Sequence, residues 1–165
     1  MGHRTRLTAM KRRTWVAAVL CVGALLILRL WFLEPTIVRS SSMAPTLPEG
    51  SLVWLDKVSP DLLGVQAGQL VTFRSPDDGA IMVKRVVAVQ GQSVSMQDGV
   101  LHIDGAAVKE PYVDQRTIDG VYFGTVRLQN NEIFVLGDNR ETSIDSRAFG
   151  AIPADIVEAS VIGVR

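Results

Sequence analysis

The chain has 165 residues, 17 Lys+Arg against 17 Asp+Glu, and a single cysteine. That length suits one domain, and no intrachain disulfide can form. The charge is uneven: residues from Glu34 onward hold all 17 acids against 11 basic residues, a net charge of −6. An acidic body without a Lys/Arg block argues against nucleic-acid binding, which requires phosphate neutralisation. His3 and His102 stand apart from each other and from Cys21, so no metal-ligand spacing is present.

Residues 1–13 carry Arg4, Arg6, Lys11, Arg12 and Arg13 with no acid, and read as a basic cytoplasmic tail. Residues 14–33, TWVAAVLCVGALLILRLWFL, match the roughly 20 apolar residues needed to cross a bilayer. Arg29 sits close enough to the far end to snorkel to the headgroups, and Trp15, Trp31 and Phe32 suit the two interfaces. The basic flank places the N-terminus inside the cell and residues 34–165 on the outer face of the plasma membrane. A cleaved signal peptide is the rival reading. It is disfavoured because Leu33-Glu34-Pro35-Thr36-Ile37 offers no small-x-small cleavage site. Cys21 lies within the apolar segment, so cysteine usage does not fix the compartment.

Past Pro35 the sequence breaks into short pieces rich in Val, Ile, Phe and Tyr. Strands are expected at 51–55, 70–74, 81–90, 93–97, 100–103, 121–128 and 132–136. Gly, Asp and Asn clusters separate them, and Asp98-Gly99 is placed for a tight hairpin because both residues tolerate positive φ. A weak helical stripe covers 153–160. The expected architecture is mainly β: one N-terminal transmembrane helix, then an antiparallel β-sheet or barrel-like domain.

Three stretches carry chemistry. Ser40-Ser41-Ser42-Met43-Ala44-Pro45-Thr46-Leu47 follows the apolar segment, though serines beside a proline also make ordinary turns. Lys84 sits inside the apolar run Ile81-Met82-Val83-Lys84-Arg85-Val86-Val87, where a lysine can also protect a strand edge. Gly137-Asp138-Asn139-Arg140-Glu141-Thr142-Ser143-Ile144-Asp145-Ser146-Arg147 packs two Asp, two Arg and two Ser into one loop. That composition suits either a charged turn or a hydrogen-bonded support network. A serine nucleophile needs a base, no histidine is placed to serve, and a lysine serves only when desolvation lowers its pKa.

Together the three stretches resemble bacterial type I signal peptidases, the S26 serine protease family. Ser42–Thr46 matches the family's S-M-x-P-T box, Lys84-Arg85 its K-R box, and Gly137–Arg147 its G-D-N-R-x-x-S-x-D-S-R box. The resemblance runs through nearly all of residues 35–153. Arg39, Ser41, Gln69 and Gln92 depart from residues common in the family. The short interval from Lys84 to Gly137 resembles its compact members.

The resemblance implies a fold of the signal peptidase type and a membrane-bound serine endopeptidase. Ser42 would be its nucleophile and Lys84 its general base. Ser40 would lend a hydroxyl to the oxyanion hole, Ser143 would orient Lys84, and Asp138, Asp145 and Arg147 would support the site. It further implies secreted preproteins as partners, cut after a small-x-small motif, a lipid bilayer as the setting, and no cofactor or metal. Val38, Met43, Leu47, Met82 and Val83 are the expected pocket residues. A specialised pilus-type peptidase and a non-cleaving β-domain are the competing readings; the presence of both Ser42 and Lys84 favours an enzyme over the latter.

Overall fold

The computed structural model describes residues 15–24, 32–114, 118 and 122–163. The chain divides into two compact units, Met1–Glu34 and Pro35–Arg165. In the first, residues 15–24 form a helix (α1) whose apolar side chains are largely exposed, Trp15 at 73%. Among the described residues no helix is long and apolar enough to cross a membrane. Residues 14 and 25–31 of the expected anchor, and the basic tail 1–13, lie outside the described residues. The helix does not reach the expected end at residue 33. Phe32 is in a turn and Leu33 begins strand β1, Leu33–Ile37. Pro35 explains the change, since it disfavours helical geometry at the residue before it and removes a backbone donor.

The second unit is built from antiparallel strands. After β1 come β2 (Leu52–Asp56), a short helix α2 (Ser59–Leu63), β3 (Leu70–Arg74), β4 (Ile81–Val89), β5 (Ser93–Gln97), β6 (Val100–Ile103), β7 (Ala106–Ala107), β8 (Phe123–Arg127) and β9 (Glu132–Leu136). A one-turn helix α3 (Ser146–Phe149), β10 (Ile152–Pro153) and β11 (Val157–Ile162) complete the chain. Seven strands form one sheet in the order β1-β2-β11-β3-β4-β9-β10, and four form a second in the order β7-β6-β5-β8. The described pairings leave β1 and β10 at the ends of the larger sheet, so it is open rather than a closed barrel.

The strands expected at 70–74, 93–97, 100–103 and 132–136 form with those bounds, and the other three shift by one or two residues. At the expected hairpin, Gln97 pairs with Val100, and Asp98 and Gly99 have φ of 48° and 75°. Both central residues therefore take the positive φ that a two-residue turn between right-twisted strands requires. The helical stripe expected over 153–160 is corrected. Only 154–156 form a 3-10 turn, and Val157–Ile162 is a strand. It pairs with both β2 and β3, so backbone partners on two sides outweigh a weak helical periodicity. Val157, Ala159 and Val161 are buried, and two of the three are β-branched, as a strand favours.

β4 organises the interior. It pairs with β3 on one side and β9 on the other, and its register shifts between Val86 and Ala88. A bulge redirects side chains from that point on. Val86 thus joins Val71, Phe73, Ile133 and Val135 in one apolar cluster, while Val87 and Ala88 join Met96, Leu101 and Phe134 in a second. The second cluster ties the sheets together, with Phe123 of β8 stacked on Phe134 of β9 at 5.3 Å. A third cluster holds Val38, Met43, Leu47, Val53, Leu70 and Val161.

Phe73 has no exposed surface and meets Phe149 edge-on at 6.2 Å. Phe73→Ala should destabilise the fold by about 3–5 kcal/mol, the usual cost of deleting a buried aromatic. Denaturant unfolding checks this, and a loss below about 1 kcal/mol would mean the site is not rigidly packed.

Candidate active site

Lys84 lies in the fourth position of β4. Alternation along the strand puts Met82, Lys84 and Val86 on one face, and register places Val71 of β3 opposite Lys84 and Phe73 opposite Met82. The lysine stem is thus bedded in apolar side chains, and the residue is only 3% exposed. Its amine reaches Ser42, Nζ donating to Oγ at 2.9 Å. Burial pushes the Lys84 amine below the ordinary 10.5; nearby Asp145 pulls it back up and Arg147 adds to the lowering, but burial dominates.

Ser42 sits in a tight turn over residues 41–47. Ala44 N–H donates to the Ser41 carbonyl at 3.0 Å and Leu47 N–H to the Met43 carbonyl at 2.8 Å. Met43 and Leu47, at 1% and 2% exposure, anchor the turn in the third cluster, and Ser42, just before Met43, is left half-buried. Ser40 is exposed, and its Oγ lies 3.1 Å from Ser42 Oγ.

The loop from Gly137 to Asp145 holds the turn from the other side. Asn139 N–H donates to the Ser42 carbonyl at 3.1 Å, and Asn139 Nδ2 to the Ser41 carbonyl at 3.3 Å. The Ser41 carbonyl and the Ser42 N–H belong to one planar peptide unit, so holding the first aims the second. Gly137 is required by close approach: a Cβ there would collide with the Ser143 side chain and stand 2.6 Å from the Ser42 carbonyl oxygen. Asp138, fully buried, receives both arms of Arg85, from Nε at 2.8 Å and Nη2 at 2.7 Å. Thr46 Oγ1 donates to the same carboxylate, tying the end of the Ser42 turn to the loop. Asp145 accepts from Gly137 N–H at 3.0 Å and pairs with Arg147, whose Nε is 2.8 Å away. Arg147 also donates to the carbonyls of Arg140 and Ser143.

The structure therefore gathers Ser42, Lys84 and Ser40, and it makes the Asp145–Arg147 pair. Ser143 differs from expectation: its Oγ is buried and makes no hydrogen bond, to Lys84 or to any other described group. Its N–H donates to the Asn139 carbonyl, and its contact is with Gly137. The five expected pocket residues also separate. Val38, Met43 and Leu47 are packed in the third cluster, 6% exposed or less, with Val83 partly buried against them. Met82 packs on the cluster of Phe73 instead, because adjacent strand residues point to opposite faces. Sequence reasoning missed the half-buried partners Glu110 and Tyr112. Tyr112 lies beneath Arg85, 3.8 Å from ring centroid to Cζ, and Glu110 pairs with Arg140 at 2.6 Å. Their signal was slight, an acid and an aromatic around a proline in an irregular segment. Among the described residues no group of His, Cys, Asp or Glu is arranged to hold a metal ion.

The family model described as signal peptidase, peptidase S26, matches residues 11–164. The chain belongs to that family. It is accordingly an S26 serine peptidase. Among relatives of the signal peptidase family, the chain is 34% identical over 136 residues to a probable signal peptidase I-1 of Synechocystis, covering 78% of this chain and 68% of that protein. It is also 34% identical over 148 residues to signal peptidase I T of Bacillus subtilis, covering 84% and 77%. A solved structure, a signal peptidase I from Enterococcus faecalis, superposes with a TM-score of 0.54 at 29% identity, covering 59% of this chain and 97% of that one.

A lysine with a lowered pKa destabilises the fold in a pH-dependent way. Between its folded value and the unfolded 10.5, the unfolded chain holds a proton that the folded chain has released, so stability rises with pH across that window. The penalty is full below the folded value and absent above 10.5. Lys84→Met removes it, so the melting temperature of the variant relative to wild type should be most favourable near neutral pH and fall as the pH approaches 10.5. A difference independent of pH would contradict a lowered pKa.

Proposed function

We propose that this chain is a membrane-anchored signal peptidase I that removes signal peptides from exported preproteins with a Ser42/Lys84 dyad. The observation that carries the reading is the 2.9 Å contact between Lys84 Nζ and Ser42 Oγ, at an amine whose pKa is lowered by burial. With Lys84 neutral, the contact runs the other way, the Ser42 hydroxyl donating to the nitrogen lone pair. Ser42 Oγ attacks the scissile carbonyl while Lys84 takes its proton. The tetrahedral oxyanion is met by the Ser42 N–H, aimed by the Asn139 bonds, and by the Ser40 hydroxyl, each such donor typically worth about 3 kcal/mol of barrier. Lys84 then returns the proton to the departing amine, and an ester on Ser42 remains. Water, deprotonated by Lys84, opens the ester and releases the signal peptide. Asp138, Asp145 and Arg147 hold the loop, and Ser143 packs beside Gly137.

The substrate proposed is a preprotein ending its signal peptide in a small-x-small motif. Val83, half-buried on the strand leading to Lys84, would meet substrate side chains, with Val38, Met43 and Leu47 as the packed layer behind it; Met82 faces the other side of the strand. Shallow apolar surfaces of this kind reject large side chains by clash. The apolar run that follows the basic tail would anchor the enzyme, with that tail in the cytoplasm and the β-strand unit outside. The exposed apolar side chains of α1 and the charge asymmetry support this placement. Confinement at the membrane raises the effective concentration of a membrane-bound substrate.

The test is cleavage of a preprotein bearing an Ala-x-Ala site by the full-length chain in detergent. Wild type should cut after the second Ala, and Ser42→Ala should lose roughly 10⁴-fold or more. Lys84→Arg should be equally inert, because a guanidinium keeps its proton at working pH. Full activity of either variant would remove the dyad.

A further inference from the structure

Glu110-Pro111-Tyr112 reaches both flanks of the nucleophile turn from a segment with no regular structure. The segment is tied down on either side. Val108 N–H donates to the Leu101 carbonyl at 2.8 Å, and Val113, itself buried, donates from its N–H to the Glu110 carbonyl at 3.1 Å. Two legs leave it. In the first, Glu110 Oε1 accepts from Arg140 Nη2 at 2.6 Å, and Arg140 Nε donates to the Gly137 carbonyl at 3.0 Å. In the second, the Tyr112 ring underlies the Arg85 guanidinium, which forks onto Asp138, which holds Thr46. Tyr112 Oη joins the legs by donating to the same Glu110 Oε1 at 3.0 Å.

Gly137 and Asp138 immediately precede Asn139, the residue that bonds the Ser41 and Ser42 carbonyls. The first leg therefore ends on the Gly137 carbonyl and the second on the Asp138 carboxylate, the two residues just before the one that sets the direction of the Ser42 N–H. The charges are interior: the Arg140 side chain is 1% exposed and that of Glu110 6%. Among the described residues Arg140 Nη1 lacks a partner, so without Glu110 the buried guanidinium would keep, of the described bonds, the one to the Gly137 carbonyl. Breaking one side of a buried pair is far more costly than losing a surface contact, and the loop would move to relieve it. Burial pushes the Tyr112 phenol up, and the Glu110 carboxylate adds to the rise, so the hydroxyl remains a donor throughout the working range.

We propose that Glu110 and Tyr112 are positioning residues for peptide cleavage, clamping the 137–139 loop so that the Ser42 hydroxyl and N–H meet the scissile carbonyl in register. The proposal rests on the Ser42/Lys84 reading above. Neither residue touches the reacting atoms; both act through Arg140 and Arg85. Because the clamp aims groups that act in the transition state, its loss falls on kcat rather than on KM.

The experiment compares full-length wild type, Ser42→Ala, Glu110→Gln, Tyr112→Leu and Tyr112→Phe on the Ala-x-Ala preprotein, with melting temperatures measured alongside. At temperatures well below each melting point, Glu110→Gln and Tyr112→Leu should lower kcat by roughly 10²-fold, the scale of a misplacement of about 1 Å. KM should stay within about threefold of wild type, as for a group felt only in the transition state. Tyr112→Phe keeps the ring beneath Arg85 and should recover most of the loss seen in Tyr112→Leu, whether or not Glu110→Gln folds. Normal kcat in the folded strap variants, a loss that disappears on cooling below the melting point, or a change confined to KM would each overturn the clamp. With wild type active and Ser42→Ala silent, such a result removes the clamp alone; no cleavage by wild type removes the dyad and the clamp together.

Discussion

The contact between the Lys84 amine and the Ser42 hydroxyl, 2.9 Å long, depends on keeping a lysine out of water. An ammonium ion in an apolar setting is costly, and the group relieves that cost by giving up its proton. The sheet arranges this by ordinary means. β4 is a central strand, Val71 and Phe73 lie across from Lys84 and Met82, and Val86 follows on the same face, leaving Lys84 3% exposed. The apolar sequence that makes β4 fold is therefore the same feature that lowers the pKa of its lysine.

The second requirement is a stiff mount for the serine. The Ser42 turn has no long element of its own, and it is held at one side by Met43 and Leu47 in an apolar cluster. On the other side it is held by polar bonds from Asn139 and by Thr46 on Asp138. That polar side carries several buried charges: Asp138 with Arg85, Asp145 with Arg147, Glu110 with Arg140. Buried pairs contribute little net stability against apolar packing of the same volume, yet they fix geometry when every member is matched. Their opposite signs also keep the interior charge near balance around the Lys84 amine. Asp145 and Arg147 act on Lys84 in opposite senses, which leaves burial as the deciding influence.

Much of this was legible in the sequence, and for identifiable reasons. The strands of the core follow from β-branched runs punctuated by Gly and Asp, and the Asp98-Gly99 hairpin from residues that accept positive φ. The juxtaposition of Ser42 with Lys84 followed from resemblance, and the need for a desolvated lysine from chemistry. β11 was misread because a short run such as Val157-Glu158-Ala159-Ser160 satisfies helix and strand periods alike; its two strand partners, 54–56 and 71–73, are distant in sequence. Ser143 lies in the 137–147 loop, but its hydroxyl is buried beside Gly137 with no hydrogen-bond partner among the described residues, a packing detail that no local sequence pattern announces. Glu110 and Tyr112 were missed because their worth lies in pairing with Arg140 and Arg85, and no local pattern announces a pairing across 27 or more residues.

The central claim is that Lys84 is neutral where it meets Ser42. The direct measurement is NMR titration of the Lys84 side chain, selectively labelled at Cε, in the full-length protein in detergent, with Lys84→Met to assign the signal. A midpoint well below the ordinary 10.5 is the result this account predicts. A midpoint at or above 10.5, in a folded and active enzyme, would contradict it and leave Ser42 without the base proposed here.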